Sequence, residues 1–218
     1  MDYDTEWTDA MTPPELSDDF LWREKWTYPD GTYIFEYFLI EFFTDDTDDA
    51  GDYLQVCIDH LADGGDAPQE DDIRIDWFGH DVSGLTLYQG DGTGWVEFTE
   101  YTWETDILIV DSLTSSPENE ETHWVIEVFT DRTAGSLFDV SGAGYQPLIR
   151  FAVYDESTDT LAAWPPTSED VPSDWGKEYG VMENIPESLT FVTAALLSSV
   201  AVVVSCYLLR RRPKTEKN

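Results

Sequence analysis

Apolar and polar residues alternate along most of this chain in short runs. Residues 32–43 read TYIFEYFLIEFF and residues 53–59 read YLQVCID, each rich in aromatic and β-branched side chains. Successive strand side chains point to opposite faces, so such runs predict β-strands with one face buried. The same pattern predicts strands over residues 73–78, 85–88, 95–103, 107–111, 123–130 and 148–154, with 161–164 as a last one. Between them stand turn sequences such as Asp63-Gly64-Gly65-Asp66, Gly90-Asp91-Gly92 and Gly142-Ala143-Gly144. No stretch in this region carries the 3.6-residue period of an amphipathic helix. Many short strands with turns between them predict a mainly β chain built as an antiparallel β-sandwich.

One apolar run does not alternate. Residues 189–209 (LTFVTAALLSSVAVVVSCYLL) hold 21 positions without a charge. At about 1.5 Å per residue, a helix of that length covers the roughly 30 Å of a bilayer's hydrocarbon core. Arg210, Arg211 and Arg212 follow at once, then Lys214 and Lys217. A basic cluster beside a span marks its cytoplasmic flank. The predicted organisation is an irregular acidic lead-in (1–18), a β-sandwich (19–164), a Pro-containing stalk (165–187), a transmembrane helix (188–209) and a basic tail (210–218). The lipid bilayer is the expected partner of residues 189–209, with the acidic domain outside the cell. That orientation expects a start upstream of Met1, because the first residues show no signal peptide. A tail-anchored protein with a cytosolic domain is the alternative.

Charge narrows the ligand classes. The chain has 46 acidic against 11 basic residues and a formal net charge of −35. Such a surface repels nucleic acid and anionic lipid. Aromatics make up 14% of the residues, too many for a disordered acidic tract, so a core is expected. The two cysteines, Cys57 in a predicted strand and Cys206 in the apolar run, are not expected to pair.

Candidate chemistry is sparse. His60, His80 and His123 fall on different predicted elements, and no nucleophile, metalloprotease or phosphate-loop motif accompanies them. No catalytic residue is predicted and the protein is not expected to be an enzyme. Asp45, Asp46, Asp48, Asp49 and Asp52 place five carboxylates in eight residues, with Glu70, Asp71 and Asp72 in a later loop. Ca²⁺ takes six to eight oxygens from carboxylates and loop carbonyls, so Asp45–Asp52 is the candidate calcium site. A solvated, self-repelling loop is the competing reading. Among the tryptophans, Trp77 and Trp95 lie nearest predicted loop ends and are the candidates for stacking a sugar ring.

Three stretches carry a family resemblance: residues 52–59 (DYLQVCID), 70–75 (EDDIRI) and 123–128 (HWVIEV). They resemble the DOMON-like sandwiches that include family 9 carbohydrate-binding modules. In those an alternating strand closes on an Asp after an acidic turn, and a strand bearing an inward Glu follows. Residues 149–155 with Trp164-Pro165-Pro166 look like the closing strands, so the resemblance covers roughly residues 20–166. It implies a jelly-roll or immunoglobulin-like sandwich and a sugar or haem ligand. Haem is not expected, since Met1, Met11 and Met182 all lie outside the predicted strands and cannot serve as axial ligands. Ile185-Pro186-Glu187, the apolar run and the three arginines are similar to the C-terminal sorting signals of archaeal surface proteins, with Ser188 where the nearest type has an aromatic. The functional expectation is a membrane-anchored surface module for a glycan or a cell-envelope partner. The alternative is a structural or adhesive surface protein without a small-molecule ligand.

Overall fold

The computed structural model describes Trp7, Ala10 and residues 19–27, 34–140 and 146–178. The chain divides into two compact units, residues 1–182 and 183–218. The expected transmembrane helix, the distal stalk, the basic tail with Arg210, Arg211 and Arg212, and the sorting motif lie outside the described residues.

Eleven strands form among the described residues: β1 (Phe20–Thr27), β2 (Phe35–Phe42), β3 (Tyr53–Asp59), β4 (Asp72–Phe78), β5 (Leu85–Gly90), β6 (Trp95–Phe98), β7 (Ile107–Thr114), β8 (His123–Asp131), β9 (Leu148–Asp155), β10 (Thr160–Trp164) and β11 (Gly176–Lys177). They make two antiparallel sheets. The smaller runs β1-β2-β8-β7, and the larger runs β10-β9-β3-β4-β5-β6 with β11 also on β9. The mainly β, antiparallel expectation holds.

The period-2 pattern explains the core. Phe20 and Trp22, Phe38 and Ile40, and Trp124 and Ile126 point from the smaller sheet to meet Leu54, Val56, Ile73, Ile75, Phe151 and Val153 of the larger. Trp22 sits at the centre, with ring centroids 4.8 Å from both Phe151 and Trp164. Its side chain is fully buried, and truncating such a residue costs about 3–5 kcal/mol.

Beyond shifts of a few residues at strand ends, such as β7 running on to Thr114, the sequence reading differs from the structure at three places. The first strand, β1, was not predicted, because Arg23-Glu24-Lys25 breaks the apolar rhythm, yet Phe20 and Trp22 still face the core. The strand expected over 95–103 stops at Phe98. The stalk does not begin at residue 165. Residues 165–178 lie against the larger sheet, where β11 pairs with Leu148 and Ile149 of β9, and Trp175 and Glu178 are buried. Prolines suggested an extended linker, but here they shape a strap. Gly176 is required in it, because a Cβ there would come 2.3 Å from the Trp164 ring. In the lead-in, Trp7 is also buried, packing on Leu39 and Val125 and donating its indole N–H to Glu127 at 3.0 Å.

Candidate ligand-binding site

Alternation on the larger sheet leaves one face for the core and the other for solvent. On that outer face, register aligns Arg150, Cys57, Arg74 and Tyr88 in one row across β9, β3, β4 and β5. Gln55 and Asp76 lie in the adjacent row, and Trp95 projects from β6 on the same side. The strap adds Ser168, Asp170 and Trp175 above these rows. Polar residues in strand positions are thus gathered under an aromatic edge.

The centre is a parallel indole pair. Trp95 and Trp175 have centroids 6.3 Å apart and planes 8° from parallel. The Trp95 indole N–H donates to Asp170 Oδ2 at 2.9 Å, and the Trp175 indole N–H to the Glu169 carbonyl at 3.1 Å. Both rings are therefore held by their nitrogens. Arg74 lies over Tyr88 at 4.7 Å and over Trp95 at 5.7 Å, within cation–π range.

The charges are arranged in advance. Arg74 donates to Asp76 through Nε (2.9 and 3.1 Å) and Nη2 (2.6 Å), and to Asp170 through Nη1 at 2.7 Å. Gln55 donates to Asp76 at 3.1 Å and accepts from Arg150, which also donates to the Ser168 carbonyl at 3.1 Å. Burial alone would lower the Arg74 pKa, but Asp76 and Asp170 outweigh it and hold the guanidinium charged. Cys57 lies beneath Asp170, and burial pushes its thiol well up, so it stays protonated. Within this hydrogen-bonded network two arginines are matched by two aspartates, on a protein of net charge −35, while the exposed Glu97 stands on the same face of β6. The network offers both donors and acceptors beside an aromatic edge.

The predicted sugar-stacking residues fare differently. Trp95 stands at this site. Trp77 does not: it shares the inward parity of Ile73 and Ile75, is buried, and packs against Trp103 at 6.0 Å. Alternation within β4 carries that correction, since Arg74 and Asp76 occupy the outward positions. Trp175 was not singled out, because it sits in the proline-punctuated stretch read as stalk. A cavity of about 320 Å³ lies at the β5–β6 edge, lined by Glu70, Gln89, Gly90, Asp91, Val96, Glu97 and Phe98; Trp95 is not among its lining residues.

The acidic loop is also only partly gathered. Asp45 and Asp52 are fully buried and lie close to His80, one ligand atom of each within 4.8 Å of the others. Asp46 and Asp48 are exposed, and Asp49 is half-buried and uses its backbone N–H to bond Asp52 at 2.8 Å. His80 bridges Asp111 Oδ2 through Nδ1 at 2.5 Å and Asp52 Oδ2 through Nε2 at 3.1 Å. Burial would lower its pKa, but these two carboxylates outweigh that and raise it to about 9, so the imidazole is a cation at neutral pH. Burial, reinforced by Asp52 and Asp155, pushes Asp45 up to about 6. The loop therefore carries a positive counter-charge from another part of the chain.

No protein-family model and no curated protein matches the sequence. Among solved structures, the chain is similar to a family 9 carbohydrate-binding module from Caldicellulosiruptor kristjanssonii, solved in complex with glucose. The TM-score is 0.46 and the identity 13%, over 84% of this chain and 92% of that one.

Proposed function

We propose that the outer face of the larger sheet binds a pyranose sugar at the Trp95–Trp175 pair. The observation that carries this reading is the pair itself: two near-parallel indoles, 6.3 Å apart, bordered by the hydrogen-bonded side chains of Arg74 and Asp170. Optimal carbon contacts of about 3.5–4.0 Å on each side put the spacing for a ring between two indoles at about 7–8 Å. Trp95 stands on the edge strand β6, so a displacement of one to two ångström there, roughly the difference, opens the slot. The sugar's C–H faces stack on the indoles. Asp170, its side chain 37% exposed, and Arg74, 20% exposed, take the hydroxyls. Asp76, Gln55 and Arg150 fix the orientation of Arg74 beneath them.

The module is held at a membrane by residues 189–209, with Arg210, Arg211 and Arg212 on the cytoplasmic side and the sandwich on the other. The uncharged length of that run and its basic flank support this placement.

The test is titration of the full chain with neutral mono- and oligosaccharides in a detergent that has no sugar headgroup, followed by tryptophan fluorescence and calorimetry. Saturable binding is expected, lost in Trp95→Ala and weakened at least tenfold in Asp170→Asn, with unchanged circular dichroism. If no sugar on a broad glycan array binds the wild-type chain, the reading fails and a purely structural or adhesive role takes its place.

A further inference from the structure

A second acidic cluster, formed by the β3–β4 hairpin, differs from the Asp45–Asp52 loop. Asp59 ends β3 and Asp72 begins β4, and the register sets them directly opposite each other. Like charges in that relation repel, and here both residues are buried, at 0% and 1% exposure. Asp71 completes the group, one carboxylate oxygen of each lying within 4.8 Å of the others. Asp59 already accepts the backbone N–H groups of Leu61, Ala62 and Gly64, and Asp71 that of Leu61. Asp72 Oδ2 accepts the Gln69 N–H at 2.6 Å, but its other oxygen, Oδ1, is buried and has no hydrogen-bond partner.

What neutralises this cluster decides its role. In the Asp45–Asp52 group the His80 imidazolium supplies a counter-charge, and among Glu24, Glu36 and Glu178 the Arg132 guanidinium does. At the hairpin the charged groups that weigh most on Asp72 are Asp59, Asp71 and Asp63, all acids. An orphaned, desolvated carboxylate oxygen in a group of three carboxylates costs free energy that a cation bound among them would offset.

We propose that Asp59, Asp71 and Asp72 bind a calcium ion that pins the β3–β4 hairpin loop. The donors are all oxygens, with no imidazole or thiolate among the three, which suits a hard cation. Carbonyls of the Gly-containing loop and water complete the six to eight ligands that Ca²⁺ takes. The loop in turn supports the strap, because the Gly65 carbonyl accepts the Ser173 N–H at 3.1 Å, two residues before Trp175. Calcium thus fixes a wall of the indole site without touching it.

The experiment uses the full chain, freed of metal with a chelator, and CaCl₂ as the probe at constant ionic strength. Calorimetry is expected to show one saturable site, and the melting temperature to rise by several degrees. Asp72→Asn is expected to fold and to melt no lower than metal-free wild type, because it removes a buried charge, yet to lose the response to Ca²⁺. Asp45→Asn is expected to keep it. No calcium response in wild type, an undiminished response in Asp72→Asn, or an equal loss in Asp45→Asn overturns the proposal. None of these readouts involves sugar, so failure here leaves the indole site standing, and failure of sugar binding leaves the calcium site standing.

Discussion

Strand β3 runs between two buried acid clusters that have solved the same problem in different ways. Before its first residue lies Asp52, with Asp45 beside it. At its last stands Asp59, facing Asp72. At the first end, His80 comes from the loop after β4 and joins Asp52, just ahead of β3 of the larger sheet, to Asp111, on β7 of the smaller. At the second, the strongest charged neighbours of Asp72 are other acids. Density of acid along the sequence did not foretell which end has a cation among its strongest charged neighbours. The first end has five aspartates in eight residues and an internal cation. The second was built by strand register from residues separated by a hairpin.

The comparison breaks most severely at His80. Its φ is +54°, so Asn, which tolerates that region, is the variant that removes charge without straining the backbone. His80→Asn leaves Asp52 fully buried and Asp111 mostly so, with no imidazolium between them. The expected loss is about 3 kcal/mol, the low end for a broken buried pair, because the imidazole lies near the surface. Denaturant unfolding at pH 7 measures it. A loss below about 0.5 kcal/mol, the size of an ordinary surface change, would mean that the bridge does not hold the sheets together.

A pH series sharpens the same point at smaller amplitude. The folded pKa of His80, about 9, lies above its ordinary 6.5. The native state therefore binds more protons than the unfolded one across that window, and stability falls as pH rises through it. The contribution is complete below pH 6.5 and gone above 9. Discounted for solvent screening of a partly exposed group, it is worth about 1–2 kcal/mol. The stability gap between wild type and His80→Asn should narrow by that amount between pH 6.5 and 9. A constant gap would contradict the imidazolium.

The far end of β3 should answer with the opposite sign. In metal-free protein at about pH 8–9, above the value of about 7 to which burial pushes Asp72, Asp72→Asn takes one charge from a directly opposed, buried pair and should stabilise by up to about 1 kcal/mol. Asp52→Asn at the near end should destabilise, because Asp52 accepts from His80, Asp49 and Glu156 at once. Two like-signed results from chemical denaturation would erase the distinction between the ends.

How much of this was legible in the sequence depends on whether a feature is local. Strand β3 appears with its observed bounds, because Leu54, Val56 and Ile58 alternate cleanly with polar positions. The antiparallel sandwich follows from many such runs. The strap was not legible: Pro165, Pro166 and Pro172 look like a linker until Trp175 and Glu178 are seen buried on the sheet. For the indole site, Trp95 stands out beside its glycine-rich turn, but its partner lies 80 residues on and no local pattern joins them. Arg74 and Asp76 could have been found, as charges at alternate positions of a strand whose other residues are Ile73, Ile75 and Trp77. His80 gave no signal at all, since a lone histidine after a strand acquires its role only when two sheets bring Asp111 and Asp52 to it.

The smallest expected effect tests whether charge density alone makes the Asp45–Asp52 loop special. Asp46 and Asp48 contributed two of its five carboxylates to the calcium expectation, yet both side chains point to solvent. Solvated carboxylates repel one another weakly, and salt screens what remains. The double variant Asp46→Asn/Asp48→Asn should therefore shift stability by less than about 0.5 kcal/mol, toward greater stability at low salt. Its response to Ca²⁺ should match wild type. A calcium-dependent difference in melting temperature between the two would show these exposed acids to be ligands after all, and return the metal to the near end of β3. Equality would leave burial without a counter-charge, not the number of acids, as the property that sets the Asp59–Asp72 hairpin apart.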